Sequence, residues 1–133
     1  MATQISEPVR KFLEKPNFAV LATRSNGKVQ ATPVWFLYEG GHIVVNTSQG
    51  RVKLRNMRKN SEVALAIVDR ENPYQYVQIQ GEVAGFDTQG AARDIDRLSH
   101  RYVGKPYGYL GGDAPAKRVT IRIAPSSITA QGF

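Results

Sequence analysis

The hydrophobic and polar positions of this chain alternate as in β-strands over much of its length. Residues 76–86 place apolar side chains, beginning with Val77, on one face and polar side chains on the other. Residues 118–124 alternate in the same way, which directs Arg118 and Thr120 outward. Short apolar runs predict further strands, and the six predicted strands span residues 18–23, 29–38, 42–47, 63–69, 76–86 and 118–124.

The connections between the first strands are short and rich in turn-forming residues. Asn26-Gly27 separates the first two strands, and both residues tolerate positive φ, which is typical of a tight hairpin. Gly40-Gly41 forms a second tight turn before the third strand. The first three strands are therefore expected to form an antiparallel meander.

Three segments have helical rather than strand-like spacing. Ser6 is a suitable N-cap for a first short helix, and residues 51–60 predict a second. Residues 88–103 place apolar side chains at helical intervals from Ala91 onward, and Gly104 ends this third helix.

Six mostly antiparallel strands with short flanking helices predict a mainly β, α+β fold, namely a small closed or nearly closed barrel. An α+β sheet with helices on one face remains the alternative. No long helices separate the strands, which argues against a doubly wound parallel sheet. The length of 133 residues predicts a single domain over residues 1–133.

Composition excludes several kinds of chemistry. The chain has no cysteine and two histidines, which rules out disulfides and a thiolate nucleophile and makes a metal site improbable. No apolar run approaches the roughly 20 residues of a membrane helix, and no signal-peptide pattern is present. We therefore expect a cytoplasmic protein without a metal and without a membrane partner.

Charge points to an anionic ligand. The formal net charge is +7, and residues 51–60 hold five cations and no acid. On a helical wheel Lys53 falls beside Met57, on the inward face, where an ammonium group needs an anion. The first turn of this helix offers free N–H groups, and Thr47 and Ser48 add hydroxyls, so the segment predicts a phosphate pocket. The alternative is a solvated helix face with Ser48 as the N-cap.

Other residues give weaker signals. Trp35 is interpreted as a core residue or as a stacking surface for a planar ligand. Asp94 and Asp96 predict a solvated helix face, and residues 102–116 form either a lid or a long connection. No acid, base or nucleophile has diagnostic spacing, so any redox chemistry would belong to a cofactor. The cations concentrate in one helix, which disfavours a nucleic-acid partner.

One larger pattern resembles a known family. Arg51, Lys53 and Asn56 form an R-x-K-x-x-N motif that follows the strand sequences QATPVWF and HIVVNT. Together they resemble the flavin/deazaflavin split-barrel superfamily, also called pyridoxamine 5′-phosphate oxidase-like, over residues 8–127.

The resemblance implies a homodimer of six-stranded antiparallel split barrels with two cofactor sites at the dimer interface. It implies that the R-x-K-x-x-N residues bind the cofactor phosphate. It also implies contacts along the cofactor ring by residues of the second strand and the end of the third, namely Gln30, Thr32, Pro33, Val34, Trp35, Asn46 and Thr47.

The short, basic Arg51-x-Lys53 segment looks more like the branch of this superfamily that uses coenzyme F420 than like the FMN oxidases. A basic surface suits that coenzyme, which carries a phosphodiester and an oligoglutamate tail. The resemblance thus implies an F420H2-dependent reductase that transfers a hydride to an unsaturated small-molecule substrate. An FMN-dependent oxidoreductase and a non-catalytic deazaflavin-binding protein are the alternatives.

Overall fold

The computed structural model describes residues 5–133 and contains one antiparallel sheet with three α-helices. In the chain, a 3₁₀ turn at Pro115–Lys117 precedes the last strand. The helices are α1 (Glu7–Leu13), α2 (Val52–Lys59) and α3 (Ala91–Val103). The strands are β1 (Phe18–Ser25), β2 (Lys28–Val34), β3 (Leu37–Glu39), β4 (His42–Ser48), β5 (Glu62–Val68), β6 (Tyr76–Asp87) and β7 (Arg118–Gln131).

The strands form a single seven-stranded sheet in the order β2-β1-β5-β6-β7-β4-β3. The predicted hairpin is confirmed, since β1 and β2 pair up to Ser25 opposite Lys28. Asn26 and Gly27 between them have φ values of 53° and 75°, the positive values that a two-residue hairpin turn requires. The mainly β, antiparallel class of the fold is thereby confirmed.

The sheet has seven strands and is not closed, because the strand expected over residues 29–38 is broken at Trp35-Phe36. The predicted count of six strands, the closed form of the barrel and the meander of the first three strands are therefore wrong. The Phe36 side chain is fully buried, and its N–H donates to the Tyr102 hydroxyl at 3.4 Å instead of joining a strand ladder. The piece before the break, β2, pairs with β1, and the piece after it, β3, pairs with β4.

The sheet is therefore open, with β2 and β3 at its two edges. Two residues, Trp35 and Phe36, join these edges, and an extended connection of that length spans roughly 10 Å. The sheet must consequently curl until its edges are close. Periodicity did not reveal the break, since Trp35 and Phe36 both suit a strand.

One apolar cluster fills the curled sheet and holds two of the helices against it. Leu21, Ile79 and Ile121 are almost completely inaccessible to solvent, and the cluster also takes Leu13 from α1 and Met57 from α2. Burying side chains of this size contributes about 1.5–3 kcal/mol each. This cluster fixes the position of α2, whose first turn carries the cations predicted from the sequence.

The third helix covers the opposite face of β4 and β7, and this changes two predictions. Thr120 is fully buried and Arg118 is 6% exposed, so the first part of the predicted outward face of β7 does not meet solvent. Asp94, predicted to be solvated, is 2% exposed because α3 turns it onto β7. Its carboxylate accepts hydrogen bonds from Thr120 at 2.7 Å and from Arg97 at 3.0 Å.

None of the helices within residues 5–133 combines the length and apolar character needed to cross a membrane. The same residues contain no cluster of three or more histidine, cysteine or acidic side chains arranged to hold a metal ion.

Candidate functional site

A cavity of about 500 Å³ lies where the end of β4, the first turn of α2 and the start of β7 meet. Residues 107–117 and the inner face of α3 complete its walls. The lining residues are Pro33, Val34, Trp35, Asn46, Thr47, Ser48, Gln49, Arg51, Lys53, Ile95, Leu98, Tyr107, Leu110, Gly111, Gly112, Asp113, Lys117 and Arg118.

Seven of the ten residues predicted to bind a cofactor line this cavity. Three of them come from the end of β2 and the break that follows it, two from the end of β4, and two from the start of α2. These seven are Pro33, Val34, Trp35, Asn46, Thr47, Arg51 and Lys53.

The other three predicted residues do not line the cavity. Asn56 donates its amide hydrogen to the Thr23 hydroxyl at 3.1 Å, which ties α2 to β1. Gln30 and Asn56 face a second groove, shared with Lys28, on the other side of α2. The side-chain oxygens of Gln30 and Thr32 are buried without a hydrogen-bond partner in the described part of the chain.

Lys53 is the central cation of the cavity. It is 9% exposed, and its ammonium group has no hydrogen bond or ion pair with any residue in the range 5–133. Burial, followed by repulsion from Arg51 and Arg118, lowers the pKa of Lys53 below its usual value. A buried cation without a carboxylate partner and close to two more cations favours an anionic ligand.

The start of α2 adds unpaired backbone donors to this charge. Arg51 is the N-cap residue, and no side chain within residues 5–133 caps the helix. The first N–H groups of the helix therefore remain available to an anion. Ser48 is not the N-cap that the alternative interpretation predicted, because its hydroxyl donates to Asp113 at 2.9 Å.

Arg118 is a lining residue that sequence reasoning missed. Its side chain is 7% exposed, its Nε donates to Asn46 at 2.9 Å, and its Nη1 donates to Asp113 at 2.9 Å. Alternation placed Arg118 on an outward face. No local signal shows that α3 and the following loop cover that face.

The segment between α3 and β7 forms a wall of the cavity, and Asp113 anchors it. The Asp113 carboxylate accepts hydrogen bonds from Ser48, from the Ala114 N–H, from Tyr107 and from Arg118. Burial alone would raise the pKa of Asp113, but these hydrogen bonds and the Arg118 charge together lower it. The segment is therefore more than a connection, since its anchored part faces the site.

Aromatic side chains surround the break between β2 and β3. The Trp35 ring stacks on Tyr102 with a centroid distance of 5.6 Å and an angle of 12°, and Tyr107 meets Trp35 edge-on at 6.3 Å. The Tyr102 hydroxyl donates to the Asn17 carbonyl at 2.8 Å, and burial raises the pKa of Tyr102. Trp35 thus forms a partly exposed wall with a fixed orientation.

Comparison with known proteins places the chain in a family. Residues 5–132 match the family described as pyridoxamine 5′-phosphate oxidase. Because the match covers nearly the whole chain, the protein belongs to this family. No curated protein sequence matches the chain.

Solved structures share the fold. An F420 reductase is 29% identical, with a TM-score of 0.83 over 94% of this chain and 98% of that one. A conserved hypothetical protein from Mycobacterium tuberculosis is 22% identical, with a TM-score of 0.75 over 98% and 86% of the two chains. General stress protein 26 from Bacillus anthracis is 20% identical, with a TM-score of 0.70 over 94% and 92%.

Proposed function

We propose that this protein is an oxidoreductase that binds reduced coenzyme F420 in the cationic cavity and reduces an unsaturated small molecule. The observation that carries the proposal is Lys53, a buried ammonium group without a partner in the described residues and within the electrostatic influence of Arg51 and Arg118. The similarity to an F420 reductase over nearly the full length of both chains supports the choice of coenzyme.

The residues of the cavity fit a phosphate-bearing coenzyme. Arg51, Lys53 and the free N–H groups of α2 would bind the phosphate. The wall formed by Pro33, Val34 and Trp35 offers an apolar surface to a planar ring. When bound, the reduced coenzyme supplies hydride-transfer chemistry, and the one carboxylate among the lining residues, Asp113, is held in an ion pair with Arg118.

The chain's own contribution would be to bind, orient and exclude water. The segment anchored by Asp113 forms part of the cavity wall and is tied to the end of β4 through Ser48. Trp35 is fixed by its stacking on Tyr102, so a ring placed against it would have a defined orientation. Orientation and exclusion of water raise the rate of the transfer without a catalytic side chain.

An FMN-dependent oxidoreductase is the second candidate, because the matching family carries the description pyridoxamine 5′-phosphate oxidase. Two fluorescence titrations of the purified protein, with F420 and with FMN, distinguish the two. We expect F420 to bind at micromolar or lower Kd and FMN at least tenfold more weakly. The opposite preference would assign the protein to the FMN group. Failure of both to bind would overturn the proposed function.

Turnover separates a reductase from a protein that only binds the deazaflavin. The absorbance of F420H2 is followed in the presence of the protein and a panel of conjugated small molecules. Oxidation of the coenzyme that depends on protein and acceptor supports the reductase. Tight binding with no turnover across a broad panel would favour the non-catalytic alternative.

The proposal includes a homodimer formed through the exposed face of β1, β5 and β6. Phe18 is 57% exposed, and Val20 and Tyr76 are each 37% exposed. Pairing places Val20 opposite Ala66, which is also exposed, so the part of this face formed by β1 and β5 is apolar, while the exposed Gln78 of β6 lies on the other side of Ala66. The ion pair of Arg24 and Glu62 at its margin resembles the polar rim of a protein interface.

A further inference from the structure

A hydrogen-bonded chain runs from a buried carboxylate in α3 to the wall of the cavity. Asp94 accepts a hydrogen bond from the Thr120 hydroxyl at 2.7 Å, and Thr120 accepts one from the Asn46 amide at 3.2 Å. The Asn46 carbonyl oxygen in turn accepts the Arg118 Nε–H at 2.9 Å. Three elements, α3, β7 and β4, thus converge on one guanidinium group.

The Asp94 carboxylate determines which group donates and which accepts in each of these hydrogen bonds. Ionised Asp94 accepts only, so the Thr120 hydroxyl must donate to it and has its lone pairs free for the Asn46 amide. The second amide hydrogen bond of Asn46 goes to the Ala91 carbonyl at 2.9 Å. The side-chain oxygen of Asn46 then accepts the hydrogen bond from Arg118. Both amide hydrogens of Asn46 are used within the protein.

Arg118, by contrast, keeps donor groups that no residue in the range 5–133 uses. Its Nε is bound by Asn46 and its Nη1 by Asp113, while its Nη2 has no hydrogen-bond partner among residues 5–133. The side chain is more than nine-tenths buried and lines the cavity. It is also close enough to Lys53 to lower the pKa of that group. Lys53 and Arg118 therefore line the same cavity, and the Nη2 of Arg118 remains available as a donor.

We propose that Arg118 binds the anionic group of the ligand together with Lys53, and that Asn46 positions Arg118 instead of contacting the ligand. The resemblance of the sequence to its family implied a ring contact for Asn46, whereas its hydrogen bonds point to a different role. The inference rests on the proposed function only for the identity of the ligand. A guanidinium held at Nε and Nη1 presents its remaining edge in a fixed geometry, as recognition of a phosphate requires.

Inorganic phosphate tests the anion site without assuming any coenzyme. Thermal unfolding is measured with millimolar phosphate and with sodium chloride at the same ionic strength. We expect phosphate to raise the Tm of the wild-type protein and to lose this effect in Arg118→Gln and in Lys53→Met. The matched control is Arg122→Gln on the same strand, whose side chain is 40% exposed. No rise in the wild type, or an equal rise in Arg118→Gln, would overturn the proposal.

Titration with F420 tests the roles of the two residues. We expect Arg118→Gln to raise Kd at least tenfold, Asn46→Ala about threefold to tenfold, and the double variant no more than twofold beyond Arg118→Gln alone. Effects that multiply would show that Asn46 acts independently of Arg118. Arg118→Lys, which keeps a charge beside Asp113, should fold even where Arg118→Gln does not, and should still raise Kd at least threefold.

The two measurements separate this inference from the proposed function. If phosphate binding depends on Arg118 and neither F420 nor FMN binds, the proposed function fails and the anion site stands. If F420 binds with equal Kd in the wild type, Arg118→Gln and Arg118→Lys, the proposed function stands and the role of Arg118 is wrong.

Discussion

At the scale of single residues, Lys53 connects binding with stability. Its ammonium group is buried without a partner in the described chain, and its pKa is lowered mainly by that burial. A group in such surroundings destabilises the ligand-free protein, because its charged form loses hydration without gaining an ion pair. A bound anion would supply the missing ion pair. The same buried charge that destabilises the ligand-free protein would therefore strengthen anion binding.

Replacing Lys53 by methionine should therefore stabilise the ligand-free protein. Methionine keeps the length of the side chain and removes the charge, and we expect a gain of about 0.5–2 kcal/mol at neutral pH. Urea unfolding of the two proteins measures it. A variant less stable than the wild type would show that the ammonium group has a favourable partner.

The sign of the pH dependence follows from the lowered pKa of Lys53. The folded protein releases this proton at a lower pH than the unfolded chain, whose lysine pKa is about 10.4. Stability contributed by this group therefore rises with pH between the folded and the unfolded pKa values. The advantage of Lys53→Met should shrink as the pH rises between these two pKa values, and a constant difference would contradict the assignment. Anion affinity should fall over the same window in the wild type and not in the variant.

At the scale of elements, β6 and β7 depend on a close approach at Gly81. A Cβ atom on Gly81 would lie 2.6 Å from the Ala124 carbonyl oxygen, where the register of the two strands shifts. Gly81→Ala should lower the free energy of unfolding by about 1–3 kcal/mol, because the obstructing atom belongs to the backbone.

Gly85 provides the matched control for this prediction. It lies at the second register shift of the same strand pair, and a Cβ atom there would meet no atom of the described residues within 4 Å. Gly85→Ala should change stability by less than about 1 kcal/mol. Equal urea midpoints for the two variants would show that β6 and β7 can separate at Gly81 at little cost.

The elements also show what the sequence predicted and what it did not. The Asn26-Gly27 turn and the inward Lys53 follow from rules that act over a few neighbouring residues, and both are confirmed. The break at Trp35-Phe36 depends on a contact with Tyr102 of α3, and the burial of Arg118 depends on the loop that follows α3. Side chains distant in the chain decide these features, so periodicity and alternation carry no signal for them.

At the scale of the whole molecule, the exposed apolar side chains of Phe18, Val20 and Ala66 on one face of the sheet support the proposed homodimer. Light scattering coupled to size exclusion should give twice the mass of the 133-residue chain. Ala66→Glu should produce a monomer, because it places a charge at the centre of the face.

A substitution outside this face controls for the added charge. Gln89→Glu lies at an exposed position before α3 and should leave the dimer intact. A wild-type protein that elutes as a monomer at all concentrations, or a dimer unaffected by Ala66→Glu, would contradict the proposed interface.

The central claim is that the cavity binds an anionic coenzyme through Lys53. Its most direct test is a titration of F420 into the wild type, Lys53→Met and Lys59→Met. Lys59 ends the same helix and does not line the cavity, so the two variants lose equal charge. We predict that Lys53→Met weakens binding by about 1.5–3 kcal/mol, more than tenfold in Kd, while Lys59→Met changes Kd less than threefold. Equal losses in the two variants, or an unchanged Kd in Lys53→Met, would contradict the claim.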